Sequence, residues 1–369
     1  MRRHFKHTAS LLFAIMILFT LAGCNKELDF GFKELCYYHP HTAPVKLGVD
    51  WRHFSHLEQP TGMSVYVWPQ NSAQKAYKQL THNLDGITLN LLEGKYHSYV
   101  FNQSDTEFAT IEFADMERFE TAQVRVKQTK SSWYSTKEPA TKIGEEPEWL
   151  AIDCIQDITV TEEMVQTAEE DYKVSIGKGT RVPTRVNELA TLQPKSVIKK
   201  VDIYIHFDNI ESLRSALGAL ENMAEGCYIS TRQTTSNKVT HTINSWQLSN
   251  ETKADGTRDK TKGWIKVSIS TFGLPAGHTG KPEDTNLFVK ILLADNKTEL
   301  SHDFPIGEIL SDLNSYDGTL LRRDGYVWPQ LHLNWPEPLP NVKEEVGGDG
   351  AFNVGVSGWG DEIVTILPM

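Results

Sequence analysis

Val201-Asp202-Ile203-Tyr204-Ile205-His206-Phe207 alternates apolar and polar side chains with a period of two. Successive side chains of an extended strand point to opposite faces, so Val201, Ile203, Ile205 and Phe207 share one face. The same alternation recurs at Leu287, Val289, Ile291 and Leu293, and at Ile265, Val267 and Ile269 after Trp264. In the first half, segments 63–68, 87–92 and 96–101 read as strands, with a Glu93-Gly94 turn before the last. Shorter strands are expected at 110–113, 123–127 and 155–159. Many short strands separated by turn signals predict an all-β chain of sandwiches rather than βαβ units.

One segment breaks the pattern. Ile210, Leu213, Leu217 and Leu220 recur at helical spacing, with Asn209 as N-cap and Gly226 as C-cap. This predicts a short helix across the end of a sheet in the second domain. The polar stretch 162–200, containing Pro183 and Pro194, reads as the domain boundary, with the break near Gln193. The expected domains are therefore 32–193 and 194–369. Residues 336–350 read as a loop before the final strands. The pentapeptide Tyr-Val-Trp-Pro-Gln occurs at 66–70 and again at 326–330. The flanking residues differ, so the repeat is either coincidence or a shared strand-exit turn.

The N-terminus fixes the compartment. Arg2, Arg3 and Lys6 precede an apolar run over 11–21, which ends in Leu21-Ala22-Gly23-Cys24. That is a secretory signal peptide, residues 1–23, closed by a lipobox. The run is short for a bilayer and is followed at once by Asn25-Lys26-Glu27. Cutting before Cys24 and acylating its thiol would leave a lipidated tether over 24–31. Outer-membrane lipid, held through acylated Cys24, is the expected partner. With 37 Lys and Arg against 48 Asp and Glu, the net charge is −11. That balance excludes nucleic acid as a partner, because phosphate binding needs a basic stripe. No basic patch adjoins the lipid site, so acyl chains must do the anchoring.

Cys36, Cys154 and Cys227 remain after lipidation, an odd number. Either Cys36 and Cys154 form a bridge in an oxidising compartment, or these are buried free thiols. Cys36 with His39, His41, His53 and His56 is the cluster richest in metal ligands. Its spacing fits no standard zinc pattern, so these read as surface histidines and no metal is assigned. Gly177-Lys178-Gly179-Thr180 lacks the full phosphate-loop spacing. No nucleophile elbow, zinc-protease motif or dinucleotide fingerprint occurs, and no carboxylate pair stands out for glycoside hydrolysis. No catalytic residue and no cofactor is therefore assigned, and the chain reads as a non-enzyme. Among nine tryptophans, Trp133 beside Tyr134 in a polar loop is the best exposed candidate for stacking on sugar. Core packing is the alternative for such aromatics.

At the C-terminus Phe352, Val354 and Val356 alternate, Gly358-Trp359-Gly360 bends the chain, and another strand follows. Its residues Ile363, Val364, Thr365, Ile366 and Leu367 either pair within their own sheet or are donated to a neighbour's.

Several stretches, in order, resemble a lipoprotein family of unknown function in the fimbrillin-like superfamily of Gram-negative anaerobes. They are the lipobox, Leu35-Cys36-Tyr37-Tyr38-His39 leading to Val49-Asp50-Trp51, and Leu92-Glu93-Gly94-Lys95-Tyr96. The strand at 201–207, segment 212–230 and Val356-Ser357-Gly358-Trp359-Gly360-Asp361 continue the likeness. The resemblance implies two tandem transthyretin-like β-sandwich domains. It also implies a role in type V pili as an anchor or accessory subunit, with other fimbrial subunits as partners. In such pili, stalk subunits lose their first strand when a protease cuts after an arginine. Between Cys24 and Arg118 the only arginine is Arg52, which follows Trp51. Arg52 is expected within a paired strand, where cutting is disfavoured. The lipid is thus expected to stay on, as in an anchor. Lys26-Glu27-Leu28-Asp29 partly matches surface-export signals, so display on the outer face of the outer membrane is expected. A surface glycan-binding lipoprotein is the alternative function.

Overall fold

The computed structural model describes residues 41–343, apart from 54–59, 71–75, 136, 138–140, 178–184, 316–320, 323–324 and 327–328. The first strands are β1 (Thr42–Val49), β2 (Met63–Pro69), β3 (Tyr77–Thr81), β4 (Gly86–Leu92) and β5 (Gly94–Asn102). Then come β6 (Ile111–Ala114), β7 (Gln123–Val126), β8 (Ile143–Gly144), β9 (Ala151–Val160) and helix α1 (Glu162–Gly177). After the helix lie β10 (Asn187–Leu192), β11 (Lys195–Ser196), β12 (Lys199–Asp208), β13 (Leu213–Ala224) and β14 (Gly226–Tyr228). β15 (Lys238–Ile243), β16 (Gln247–Thr252), β17 (Arg258–Thr271), β18 (Asn286–Leu293) and β19 (Glu299–Pro305) follow. The last are β20 (Leu321–Arg322), β21 (Gly325–Tyr326) and β22 (Gln330–Asn334). The all-β expectation holds: strands in several sheets dominate, with one helix among the described residues.

The described residues divide into two compact units. One holds residues 41–46, 88–95 and 159–189; the other holds 47–87, 96–158 and 190–343. The sheets run in the orders β10-β1-β4, β11-β9-β5-β2-β3, β16-β17-β12-β22, β19-β18-β13-β15-β8, β14-β7-β6 and β20-β21. No described helix is long and apolar enough to cross a membrane.

β12 behaves as its alternation dictates. Val201, Ile203 and Ile205 are fully buried, and Phe207 nearly so. They share one hydrophobic cluster with Leu287, Val289, Ile291 and Leu293 of β18. Two sheets with apolar inner faces thus close into a sandwich, which removes both faces from water. β12 pairs antiparallel with β17 along its whole length and parallel with β22. The other side chains of β12 face outward, and they build the surface described below.

The helix expected after Asn209 is a correction. Ile210–Ser212 is a single 3-10 turn, and Leu213–Ala224 is a strand. A β-bulge counterfeits the helical spacing of Leu213 and Leu220. Leu213 and Leu220 are an odd number of residues apart, which would place them on opposite faces of a regular strand. Their partners Leu293 and Leu287 are an even number apart, because an extra residue enters between Leu213 and Ser215. A second bulge, between Leu220 and Met223, returns Met223 to the buried face. Asn222 there has φ 62. Asn209 does open the 3-10 turn, but at φ 64 and without a side-chain cap. Its amide instead donates to Leu339 O and Asn341 Oδ1, both at 2.7 Å.

The stretch read as a polar linker carries α1 and β10. Thr161 Oγ1 accepts the Met164 N–H at 3.3 Å, and Glu162 and Glu163 occupy the first turn. An N-terminal hydroxyl followed by acids is a helix-start signal, favourable to the orphan N–H groups and the helix dipole.

Candidate functional site

The outer face of the β16-β17-β12-β22 sheet gathers aromatic and charged groups. Register places Tyr204 opposite both Lys266 of β17 and His332 of β22, and His206 opposite Trp264. Paired residues project to the same face, so all five side chains share that surface. The Tyr204 and His332 rings stack at 4.6 Å and 8°. Trp264 meets Tyr204 edge-on at 5.4 Å. His206 Nε2 lies 3.2 Å from His332 Nδ1, and His206 Nδ1 is 3.7 Å from Glu251. Lys266 sits 4.8 Å above the Tyr204 ring and 3.4 Å from the Asp202 carboxylate. Tyr204 and Asp202 together raise the Lys266 ammonium above its ordinary pKa. Asp202 also accepts the Ser268 hydroxyl. Flat rings beside fixed charges and hydroxyls form a step on which a planar or pyranose face can lie.

Trp133 and Tyr134, expected to be exposed, are a correction. Tyr134 is buried, and its hydroxyl donates to Glu221 Oε1 at 2.7 Å. Trp133 is half-buried; its indole N–H donates to Asn244 Oδ1 at 3.1 Å and its ring stacks on Phe288 at 6.3 Å. Lys137 lies 3.7 Å over the Phe288 ring and bridges Glu221 and Asp303 at 3.0 and 3.1 Å. This strap packs against Ala219 and Phe288 on the β13–β18 sheet and does not offer a bare platform.

β1 is the middle strand of its sheet, between β10 and β4. Ala43, Val45 and Leu47 are completely buried. Val49 N–H donates to Asp85 O at 3.1 Å, and Asn187 Nδ2 donates to Pro44 O at 3.2 Å. Lys46 meets Glu188 at 2.7 Å. Arg52 is a further correction. It lies in the 3-10 turn Trp51–His53 just after β1, not in a paired strand, and its side chain is exposed. The backbone argument against cleavage there does not hold.

His41 sits in the open with Nδ1 against Glu169. Among the described residues no three His, Cys, Asp or Glu groups converge as a metal set. The Cys154 thiol donates to Ser230 O at 2.8 Å. Cys227 is a buried free thiol whose pKa burial pushes up to about 12, so it is unreactive. Cys24, Cys36, His39, His56 and the terminal strand residues Ile363, Val364, Thr365, Ile366 and Leu367 lie outside the described residues. The Tyr204–His332 surface went unnoticed in the sequence, because its parts are brought together by the pairing of β12 with β17 on one side and β22 on the other.

Residues 31–244 match the family described as Domain of unknown function (DUF5119). No curated protein matches this sequence. A candidate adhesin from Bacteroides ovatus superposes with a TM-score of 0.50 at 14% identity, covering 87% of this chain and 99% of that one. A candidate adhesin from Bacteroides thetaiotaomicron gives 0.47 at 10% identity, covering 75% and 85%. The fimbrial anchor protein Mfa2 from Porphyromonas gingivalis gives 0.37 at 10% identity, covering 67% and 77%. The first of these likenesses shows a shared fold.

Proposed function

The chain belongs to the family described as Domain of unknown function (DUF5119), and on that premise we propose that it is a lipid-anchored fimbrillin-like subunit of the cell surface. Its role is that of an anchor or accessory subunit in pilus assembly or adhesion, tethered to the outer membrane through acylated Cys24. One observation carries this reading. β1, the first described strand after the tether, is paired on both edges and buries its apolar face. A lipid at Cys24 would therefore hold the fold through a strand built into a sheet. The fold shared with a candidate adhesin over nearly all of that protein's length supports the same reading. Two tandem transthyretin-like domains dividing near Gln193 are part of the proposal. So is strand donation by residues 363–367 to a neighbouring subunit. A Cys36–Cys154 bridge, which would replace the hydrogen bond of the Cys154 thiol to Ser230 O, would close the first domain.

Cys24→Ala expressed in cells tests the tether. The variant should leave the membrane fraction while wild type stays and is stained by antibody on intact cells. Staining only after permeabilisation would contradict surface display.

The second reading, a glycan-binding surface protein, is favoured by the Tyr204–His332 stack beside Trp264 on that sheet face. Tyr204→Ala should then lower polysaccharide retention on affinity electrophoresis without changing thermal stability.

A further inference from the structure

One lysine, one asparagine and two carboxylates meet under the Trp133–Tyr134 strap. Glu221 of β13 is the register partner of Asn286 of β18, and Phe288 of β18 is the partner of both Ala219 and Asp303. Partners across a sheet project to the same face, and so do residues two apart on one strand. Glu221, Asn286, Phe288 and Asp303 therefore share the face that the strap covers. Lys137 reaches onto it from the strap, with Nζ 3.0 Å from Glu221 Oε1 and 3.1 Å from Asp303 Oδ1. The Asn286 amide donates to Glu221 Oε2 at 2.9 Å and to the same Asp303 oxygen at 2.7 Å. Ionised carboxylates only accept, so it is the nitrogen of this amide that faces them. The lysine nitrogen and the asparagine amide nitrogen are thus held between the same two acids.

The site is fixed and partly closed to water. Glu221 is 15% exposed and also accepts the Tyr134 hydroxyl at 2.7 Å, which sets its orientation. The Phe288 ring lies 3.7 Å from Lys137 Nζ and covers that side of it. Asp303, at 57%, stands on the open side. Positioning of this kind replaces a bimolecular encounter between amine and amide by a step within one chain.

We propose that Lys137 and Asn286 join in an intramolecular isopeptide bond. Glu221 takes a first proton from the Lys137 ammonium, and the neutral amine attacks Asn286 Cγ, forming the Nζ–Cγ bond. Asp303 takes a second proton from the same nitrogen. Both acids touch the Asn286 amide nitrogen and deliver those two protons to it. The Cγ–Nδ2 bond then breaks, ammonium leaves, and both carboxylates are regenerated. Charge and electrons balance with no co-reactant. The first proton transfer gives up the attraction between the cation and the Phe288 ring, which makes it the slow step. The product bolts the strap to β18, a strand distant in sequence, and so constrains the unfolded chain. The bond forms within one chain, so its absence would leave the surface role untouched.

The test is mass spectrometry of the purified full mature chain carrying Cys24→Ala. The intact chain should be lighter than its sequence by one ammonia, and digestion should yield a branched peptide joining Lys137 to Asn286. Lys137→Arg keeps the charge, but a guanidinium does not give up its proton. That variant should show the full sequence mass and melt at a lower temperature, because its unfolded chain is not cross-linked. Glu221→Gln keeps the side-chain shape but cannot carry a proton, and it should stay largely unlinked. If Glu221→Gln does not fold, wild type against Lys137→Arg decides. Full sequence mass in the wild type would overturn the proposal. So would loss of one water with a link to Asp303, or loss of ammonia that persists in Lys137→Arg. Linkage in Glu221→Gln as complete as in wild type would overturn the role given to Glu221.

Discussion

Asp50 receives the Arg52 guanidinium on two prongs, with Nε 2.9 Å from Oδ1 and Nη2 2.6 Å from Oδ2. Asp50 Oδ1 also accepts the Arg52 backbone N–H at 3.0 Å, so one carboxylate both starts the 3-10 turn and holds its arginine. The Arg52 side chain is 86% exposed. An ion pair so exposed is screened by solvent and stabilises little, too little to hide the residue from a protease. An arginine-specific protease should therefore nick the purified protein at Arg52, and Arg52→Gln should resist. Because β1 is paired on both sides, the nicked pieces should elute together in gel filtration. Dissociation of the N-terminal piece would mean that β1 is exchangeable, as in a stalk pilin.

Gly86 tests how tightly β1 is seated. It adopts φ +132, and a Cβ there would lie 2.2 Å from Leu47 O. Gly86→Ala should lower unfolding stability by about 1–3 kcal/mol, the range for forced backbone strain. Gly256 has φ +81 but open space around its Cβ position. Gly256→Ala should cost less in the same denaturant titration.

His241 makes stability depend on acidity. Burial lowers its pKa to about 4, with the Gly144 and Glu145 backbone opposing that shift. The folded chain holds the ring neutral, while the unfolded chain protonates it below about 6.5. Its contribution is therefore complete above pH 6.5 and is lost as the pH falls toward 4, by about 3 kcal/mol in all. Urea midpoints measured from pH 7 to 4 should fall through that window. His241→Phe should flatten the slope.

Tyr66 donates its hydroxyl to Asp105 Oδ2 at 2.8 Å, and Lys78 reaches the same carboxylate at 2.6 and 2.7 Å. Burial, with Asp105 adding to it, raises the Tyr66 pKa to about 12. Burial alone would raise the Asp105 pKa, but the bonds from Lys78 and Tyr66 hold it below its ordinary value. Tyr66→Phe should cost about 1.5–3 kcal/mol, the range for a hydrogen bond to a charged group. An unchanged midpoint in chemical denaturation would show that Lys78 alone satisfies Asp105.

Strands with unbroken alternation were legible. β12, β17 and β18 carry the apolar face that the period-two reading assigns to them. β13 was not legible, because the bulge between Leu213 and Ser215 shifts the phase and leaves Leu213 and Leu220 at helical spacing. α1 was hidden for the opposite reason: over residues 162–174, whose burial is described, only Val165 and Ala168 are buried, so no apolar stripe marks that stretch. The sites divide the same way. Trp133 looked exposed because its loop is polar, yet Phe288 and Asn244, distant in sequence, hold it. Arg52 looked like strand interior because Val49-Asp50-Trp51 continues an apolar run, and Asp50 ends that run by capturing the next turn. Long-range pairing decides β13 and Trp133, whereas Arg52 is set by Asp50 two residues away.

The most direct measurement of the central claim is mass spectrometry of the mature N-terminus, on protein extracted from intact cells. The account predicts a single form that begins at acylated Cys24 and runs unbroken through β1 and Arg52. A mature protein beginning at His53, without lipid, would contradict it.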